Sequence, residues 1–159
     1  MERYSLEPKV VNKFDGIYRF LSNFHDVYQH TGRYIEWDGF NFPTVEHAYQ
    51  AAKTRKFDEQ QEILNCQTPG QAKRLGKRVT LRPDWEEKKL MIMEQLLRQK
   101  FNLPYYESRL LSTGSAELIE GNEWGDCFWG VYFGRGLNHL GKLLMKIREE
   151  RKRQYATNS

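Results

Sequence analysis

The chain has 159 residues, four of them His, and 25 Lys and Arg against 21 Asp and Glu for a net charge of +4. That length suits one domain with a real core, and 14% aromatic beside 29% charged residues argues for a folded, well-hydrated protein rather than a disordered chain. No run approaches the roughly 18 apolar residues of a membrane span, and no basic-then-apolar leader opens the sequence, so the expected location is the cytoplasm.

Val10-Val11 suggests a short strand in an N-terminal stretch (residues 1–20) without helical period. Phe20-Leu21-Ser22-Asn23-Phe24 sets two rings around a small polar pair. Ser22 and Asn23 form turns readily and are also good sugar or amide ligands, and as a local signal the plain turn is favoured. From Tyr34 to Phe42 the residues alternate about Asp38-Gly39, a pair that takes the positive φ angles of a tight hairpin turn. The hairpin leads into Phe42-Pro43-Thr44-Val45-Glu46-His47-Ala48-Tyr49-Gln50-Ala51-Ala52-Lys53. There Pro43 can occupy or precede the first helical turn, Thr44 can cap it, and the alanines favour helix. Glu46, Tyr49, Gln50 and Lys53 recur at i, i+3, i+4 and i+7 and share one face. A buried face is ordinarily apolar, so this one is either solvated or a site.

Asp58 to Leu64 reads as a second helix, with Phe57, Ile63 and Leu64 as its apolar contacts. Thr68-Pro69 opens a third, which Gly76 is placed to end. A long helix follows Pro83-Asp84, with Trp85, Leu90, Ile92, Met93, Leu96, Leu97 and Phe101 at helical spacing and Met91 and Met93 as core filler. Pro104 starts another, Tyr105 to Leu111, and residues 116–120 are ambiguous between strand and helix. Gly121-Asn122-Glu123-Trp124-Gly125-Asp126-Cys127-Phe128-Trp129-Gly130 cannot form a regular helix cheaply and reads as a tight loop with aromatic walls and the Asp126 carboxylate. Gly134 to Gly141 opens the last helix, Lys142 to about Gln154. Glycine-rich backbone there is a candidate phosphate cradle, because free N–H groups and the helix dipole favour an anion. Residues 155–159 are expected to fray, within a charged tail over 151–159.

Cys66 and Cys127 read as reduced, partly buried thiols. The sequence holds no Cys-x-x-Cys and no His-Glu-x-x-His, so no metal and no cofactor are expected. Basic residues cluster at Lys53, Arg55 and Lys56, at Lys73, Arg74, Lys77, Arg78 and Arg82, and at Arg148, Arg151, Lys152 and Arg153. Such clusters attract phosphates, though the last reads as a solvated helix end.

Taken together, these stretches resemble the NADAR (YbiA-like) family. The match runs through Phe20–Phe24, Trp37-Asp38-Gly39 to Lys53, Leu75-Gly76-Lys77, Leu81-Arg82-Pro83-Asp84-Trp85, Trp124-Gly125-Asp126 to Gly130, and Gly136-Leu137-Asn138-His139-Leu140-Gly141-Lys142-Leu143-Leu144-Met145. It covers about residues 14–150 in the family's order, and Lys77 stands where many members have Arg. The resemblance implies a single α+β domain over 1–159 that is predominantly α-helical, with a small hairpin or sheet near the N-terminal half and no metal. It also implies an N-glycosidase that hydrolyses the bond between ribose C1 and an exocyclic amine. Some members act on ADP-ribose attached to guanine in nucleic acid, others on early ribosylaminopyrimidine phosphates of riboflavin synthesis.

Fitted to that chemistry, Glu46 and Asp126 are the candidate proton-transfer carboxylates and Lys53 the candidate nucleophile, holding a ring-opened sugar as an imine. Direct attack by water, with Lys53 binding only phosphate or ring oxygen, is the rival mechanism. Trp129 and Phe128, or Trp85, can stack on a base, Ser22 and Asn23 can hold ribose hydroxyls or the base edge, and Phe24, Tyr49 and Gly130 are further candidate substrate contacts. Lys77, Gly136 and Asn138 are candidate diphosphate contacts. ADP-ribosylated guanine in DNA or RNA is the leading partner, a small ribosylamino phosphate the second. A binding module for ADP-ribose or nucleic acid is the non-enzymatic alternative, and it predicts that Glu46 and Lys53 are dispensable.

Overall fold

A computed structural model describes residues 8–158; the N-terminal reading over residues 1–7, and Ser159, lie outside them. The architecture is α+β and mostly helical, in two compact units, one from residues 23–105 and the other from the residues up to Ser22 together with those from Tyr106 onward.

In the 23–105 unit, Asp26 caps a short helix α1 (Val27–Thr31) by accepting from Gln29 N–H. The hairpin follows as β2 (Ile35–Trp37) and β3 (Phe40–Phe42), in antiparallel register with Ile35 opposite Phe42. Asp38 and Gly39 both take positive φ, 48° and 81°, as a two-residue primed turn demands. Helix α2 (Val45–Ala52) then begins at Thr44, whose hydroxyl oxygen accepts from His47 N–H; Pro43 lies just before the cap. Against α2 pack α3 (Phe57–Leu64), α4 (Pro69–Leu75) and α5 (Trp85–Phe101). Their core is Ile35, Phe42, Val45, Ala48, Ala51, Ala52, Ile63, Ala72, Ile92, Met93, Leu96, Leu97 and Phe101.

Two sequence readings are corrected in this unit. Phe57 is 70% exposed rather than core, and only the edge of the cluster reaches it, through a ring contact with Phe40 at 5.0 Å. Met91 is 60% exposed, because the helical period that buries Ile92, Met93 and Leu96 turns it outward. Gly76 ends α4 as expected, with φ −59°.

In the other unit, β1 (Val10–Val11) pairs in parallel with β4 (Glu117–Leu118), which settles the ambiguous 116–120 segment as strand. A 3₁₀ turn over Gly16–Leu21 buries Phe20 and Leu21, and α6 (Pro104–Ser112) contributes Tyr106 and Leu110. β5 (Gly121–Asn122) and β6 (Val131–Tyr132) are parallel partners that hold the ends of the glycine- and tryptophan-rich loop. Helix α7 spans His139–Thr157, three residues earlier than the sequence suggested and three beyond Gln154, so the expected fraying of 155–157 is replaced by helix. Its inner face, Leu140, Leu144 and Ile147, completes this unit's core.

Candidate functional site

The polar face of α2 is buried. Glu46 is 6% exposed, Tyr49 6% and Gln50 3%, so the solvated reading fails. The neighbouring imidazole is structural: His47 Nε2–H donates to the Cys66 carbonyl (2.9 Å), which leaves Nδ1 to accept from the Thr44 hydroxyl (2.7 Å). Burial pushes the His47 imidazole below its ordinary value, consistent with a neutral ring tying α2 to the turn after α3.

Glu46 receives a hydrogen bond from Gln50 Nε2 at 2.8 Å, and its backbone N–H donates to the Asn23 carbonyl at 3.1 Å. Asn23 itself is buried, with Nδ2 turned to the Met93 sulfur at 3.6 Å. Two side-chain oxygens here, Asn23 Oδ1 and Gln50 Oε1, are buried with no hydrogen-bond donor. Each such acceptor costs about 1–3 kcal/mol while it stays unpaired, and at Asn23 a ligand that brings a donor recovers it. Lys53 follows at the helix end, half-buried, its Nζ 5.6 Å from the centre of the Tyr49 ring. Burial lowers the Lys53 ammonium below the usual lysine range; Glu46 pulls the other way, and Lys73, Lys77 and Lys89 add to the lowering. The outcome is an amine that gives up its proton more easily than a surface lysine. Trp85 is buried with its ring 5.1 Å from that of Tyr49, so part of its surface is spent on this contact. Phe24 is half-buried and Lys77 exposed. In the basic cluster, Arg82 is committed to a two-point pair with Asp84 (2.6 and 3.0 Å), which holds that carboxyl down to about 2. Arg82 is therefore spent on Asp84, while Lys73 and Lys77 add positive charge near Lys53.

The other unit gathers Asp126, Phe128, Trp129, Gly130, Gly136 and Asn138. Asp126 Oδ1 accepts from both Phe128 N–H (3.0 Å) and Trp129 N–H (2.9 Å), while Asn122 brackets its backbone with bonds of 3.0 and 2.9 Å. The Phe128 ring meets Trp129 edge-on at 4.8 Å and His139 at 4.6 Å. The phosphate cradle expected before α7 is filled by the loop itself. The N–H groups of Leu137, Asn138, His139 and Leu140 donate to the carbonyls of Cys127, Gly130, Phe128 and Trp129. Asn138 spends its side chain on Glu120 N–H and the Leu118 carbonyl, and a Cβ on Gly136 would lie 2.1 Å from the Gly130 carbonyl. These glycines and this asparagine serve close packing of backbone on backbone. Ser22 ends the 3₁₀ turn, half-buried, with its N–H on the Arg19 carbonyl.

Cys66 is half-buried but Cys127 is exposed, against the expectation of two partly buried thiols, because the loop that carries it turns its side chain outward. Among the described residues no group of three or more His, Cys, Asp or Glu is arranged to hold a metal, and no helix is long and apolar enough to cross a membrane. Sequence reasoning placed Gln50 on the right face but gave it no part in the site; its i+4 spacing from Glu46 was the available signal.

The NADAR domain model aligns with residues 11–151. The chain is 38% identical over 153 residues to N-glycosidase YbiA of Shigella flexneri, covering 93% of this chain and 92% of that one. It is 39% identical over 127 residues to the chloroplastic riboflavin biosynthesis protein PYRR of Zea mays, of which it spans only 20%. The NMR structure of YbiA from E. coli superposes with a TM-score of 0.77 at 33% identity, over 93% of this chain and 88% of that one. The chain belongs to the NADAR domain family.

Proposed function

We propose that the protein is an N-glycosidase that hydrolyses the bond between a ribose C1 and an exocyclic amine nitrogen, with ADP-ribose attached to guanine as its substrate. The observation that carries the reading is the buried α2 face, on which a carboxylate and a desolvated amine share one helix surface. The reaction class is supported by relatives named N-glycosidase that align over nearly their whole length.

In the proposed sequence Glu46 protonates the ring oxygen, the C1–O bond opens, and C1 becomes an iminium to the exocyclic nitrogen. Neutral Lys53 Nζ adds to C1, a proton passes from Nζ to the exocyclic nitrogen, and the C1–N bond to the base breaks, releasing the free amine. C1 is left as an imine on Lys53. Water adds there, Lys53 is released, and the sugar recloses as the hemiacetal; the sum is base–NH–ribosyl plus water giving base–NH₂ and ribosyl–OH. Asn23 Oδ1 is assigned to accept from a sugar hydroxyl or base N–H, and Lys77 to meet phosphate. Asp126 is assigned a second proton-transfer role on the family pattern, Trp129 a base-stacking one and Gly130 a backbone contact to substrate.

A second reading, the same chemistry on a ribosylaminopyrimidine 5′-phosphate, is favoured by the relatives named for riboflavin biosynthesis in Zea mays and Vibrio vulnificus. Supplying an ADP-ribosyl-guanine oligonucleotide and the pyrimidine phosphate separately, and measuring free base, decides between them. Release from the oligonucleotide supports the first reading; release from the small substrate alone replaces it with the second. Binding without release from either substrate leaves a non-catalytic module.

A further inference from the structure

The glycine at the end of α4 is not there for its backbone conformation. Gly76 has φ −59°, which any residue adopts, so no left-handed turn requires it. What a side chain there would meet is Gln50: a Cβ would lie 1.9 Å from Gln50 Oε1, 2.7 Å from its Cδ and 3.1 Å from its Cβ. The amide of Gln50 thus occupies the volume that the missing side chain leaves, which fixes its rotamer by shape. At its other end, Nε2 donates to Glu46 Oε1 at 2.8 Å, one helical turn back on the same buried face. The amide orientation follows, since an oxygen turned toward a carboxylate would be repelled. The oxygen turned toward Gly76 is the one left with no donor. A glutamine present only for packing is replaceable by an apolar side chain without this buried acceptor. Retaining the amide makes sense where its N–H has work at Glu46.

We infer that Gln50, backed by Gly76, is a positioning residue that holds the Glu46 carboxylate in its reacting direction. This rests on the proposal that Glu46 moves protons during glycosidic cleavage. Gln50 itself touches no reacting atom; it acts through Glu46. A misdirected carboxylate loses turnover rather than affinity, since angstrom-scale displacement of a reacting group is enough to slow chemistry strongly.

The test combines kinetics with NMR on the intact chain. Gln50→Met keeps the volume and removes the donor; Gly76→Ala keeps the amide and displaces it. Each is expected to lower kcat by about 10- to 100-fold with KM held within about twofold, and the double variant to lose no more than the worse single one. In ¹⁵N spectra of the wild type, one Gln50 Nε2 proton should lie downfield and exchange slowly, and this signature should vanish in Glu46→Ala and in Gly76→Ala. An unchanged kcat in Gln50→Met overturns the inference. So does a loss confined to KM, a loss that merely follows Tm, or an equal kcat penalty for Gly76→Ala in the Gln50→Met background. If the wild type releases base from neither substrate, the proposed reaction falls. The amide signature then still decides the clamp: present in the wild type and lost in both variants, it stands; absent from the wild type, it is overturned.

Discussion

Two stretches looked equally unusual in the sequence, the polar helix of residues 43–53 and the glycine- and tryptophan-rich loop of residues 121–130, and the structure treats them differently. The loop satisfies itself. Asp126 caps two backbone N–H groups, Asn122 clasps the backbone of Asp126, and four loop carbonyls take the N–H groups at the start of α7. The helix does not. It buries a carboxylate, leaves the Asn23 and Gln50 oxygens without donors, and desolvates an amine that is also crowded by other lysines. Unusual composition alone is therefore a weak mark of a site. Polar capacity left unspent after folding marks it better, because a buried group that the fold cannot satisfy persists only where something else repays it.

Substitutions in the helix and in the loop are expected to act differently. The largest effect is expected at Glu46→Gln, which keeps the shape and removes the carboxylate: kcat for base release should fall by about 10²- to 10⁴-fold, with substrate still bound in equilibrium titration. Asp126→Asn should discriminate the loop's two possible duties. Asn Oδ1 can still accept from Phe128 and Trp129, so Tm should hold. A kcat loss of about 10²-fold then identifies proton transfer. If instead activity survives in Asn and falls only in Asp126→Ala together with Tm, Asp126 only shapes the loop.

A smaller effect concerns pH. Lys53 must be neutral to attack, so kcat should rise with pH through its lowered proton affinity. Removing one crowding charge by Lys73→Met relieves the repulsion, raises that affinity, and should move the acid limb of the kcat profile to higher pH. Away from the site, Lys100 on α5 is fully buried and burial pushes its ammonium down to about 7. The unfolded chain, with a lysine near its ordinary value of about 10.4, binds the proton more readily between those values. The Lys100 contribution to stability therefore improves as pH rises from about 7 to about 10. Lys100→Met should raise Tm by several degrees at pH 6 and progressively less toward pH 10. A uniform gain across pH would assign the effect to packing instead.

Much of the 23–105 unit was legible because its signals are local. Asp38-Gly39 dictates a turn, Thr44 a cap, and the alanines of α2 a helix, all within a few residues of where they act. The polar face was legible as a pattern, but its burial was not, since that depends on α4 and α5 packing from residues 69–101. Gly76 shows the limit well. Its sequence position suggested a helix stop, while its reason, the Gln50 amide 26 residues earlier, exists only in three dimensions. The phosphate cradle failed for the same cause: glycine-rich backbone before a helix does invite anions, but here carbonyls from residues 127–130 reach those N–H groups first. Phe57 was misplaced because composition does not tell which way the first residue of a helix faces, and Met91 because its place in the 3.6-residue period points away from Ile92, Met93 and Leu96.

If the desolvated amine at the end of α2 attacks the sugar carbon, borohydride added during turnover traps it there. Hydride delivered to the imine carbon leaves a stable secondary amine, and peptide mapping should locate a single ribose-phosphate or ADP-ribose adduct on Lys53, absent in Lys53→Ala. Continued base release with no adduct, or an adduct on another lysine, rules out attack by Lys53.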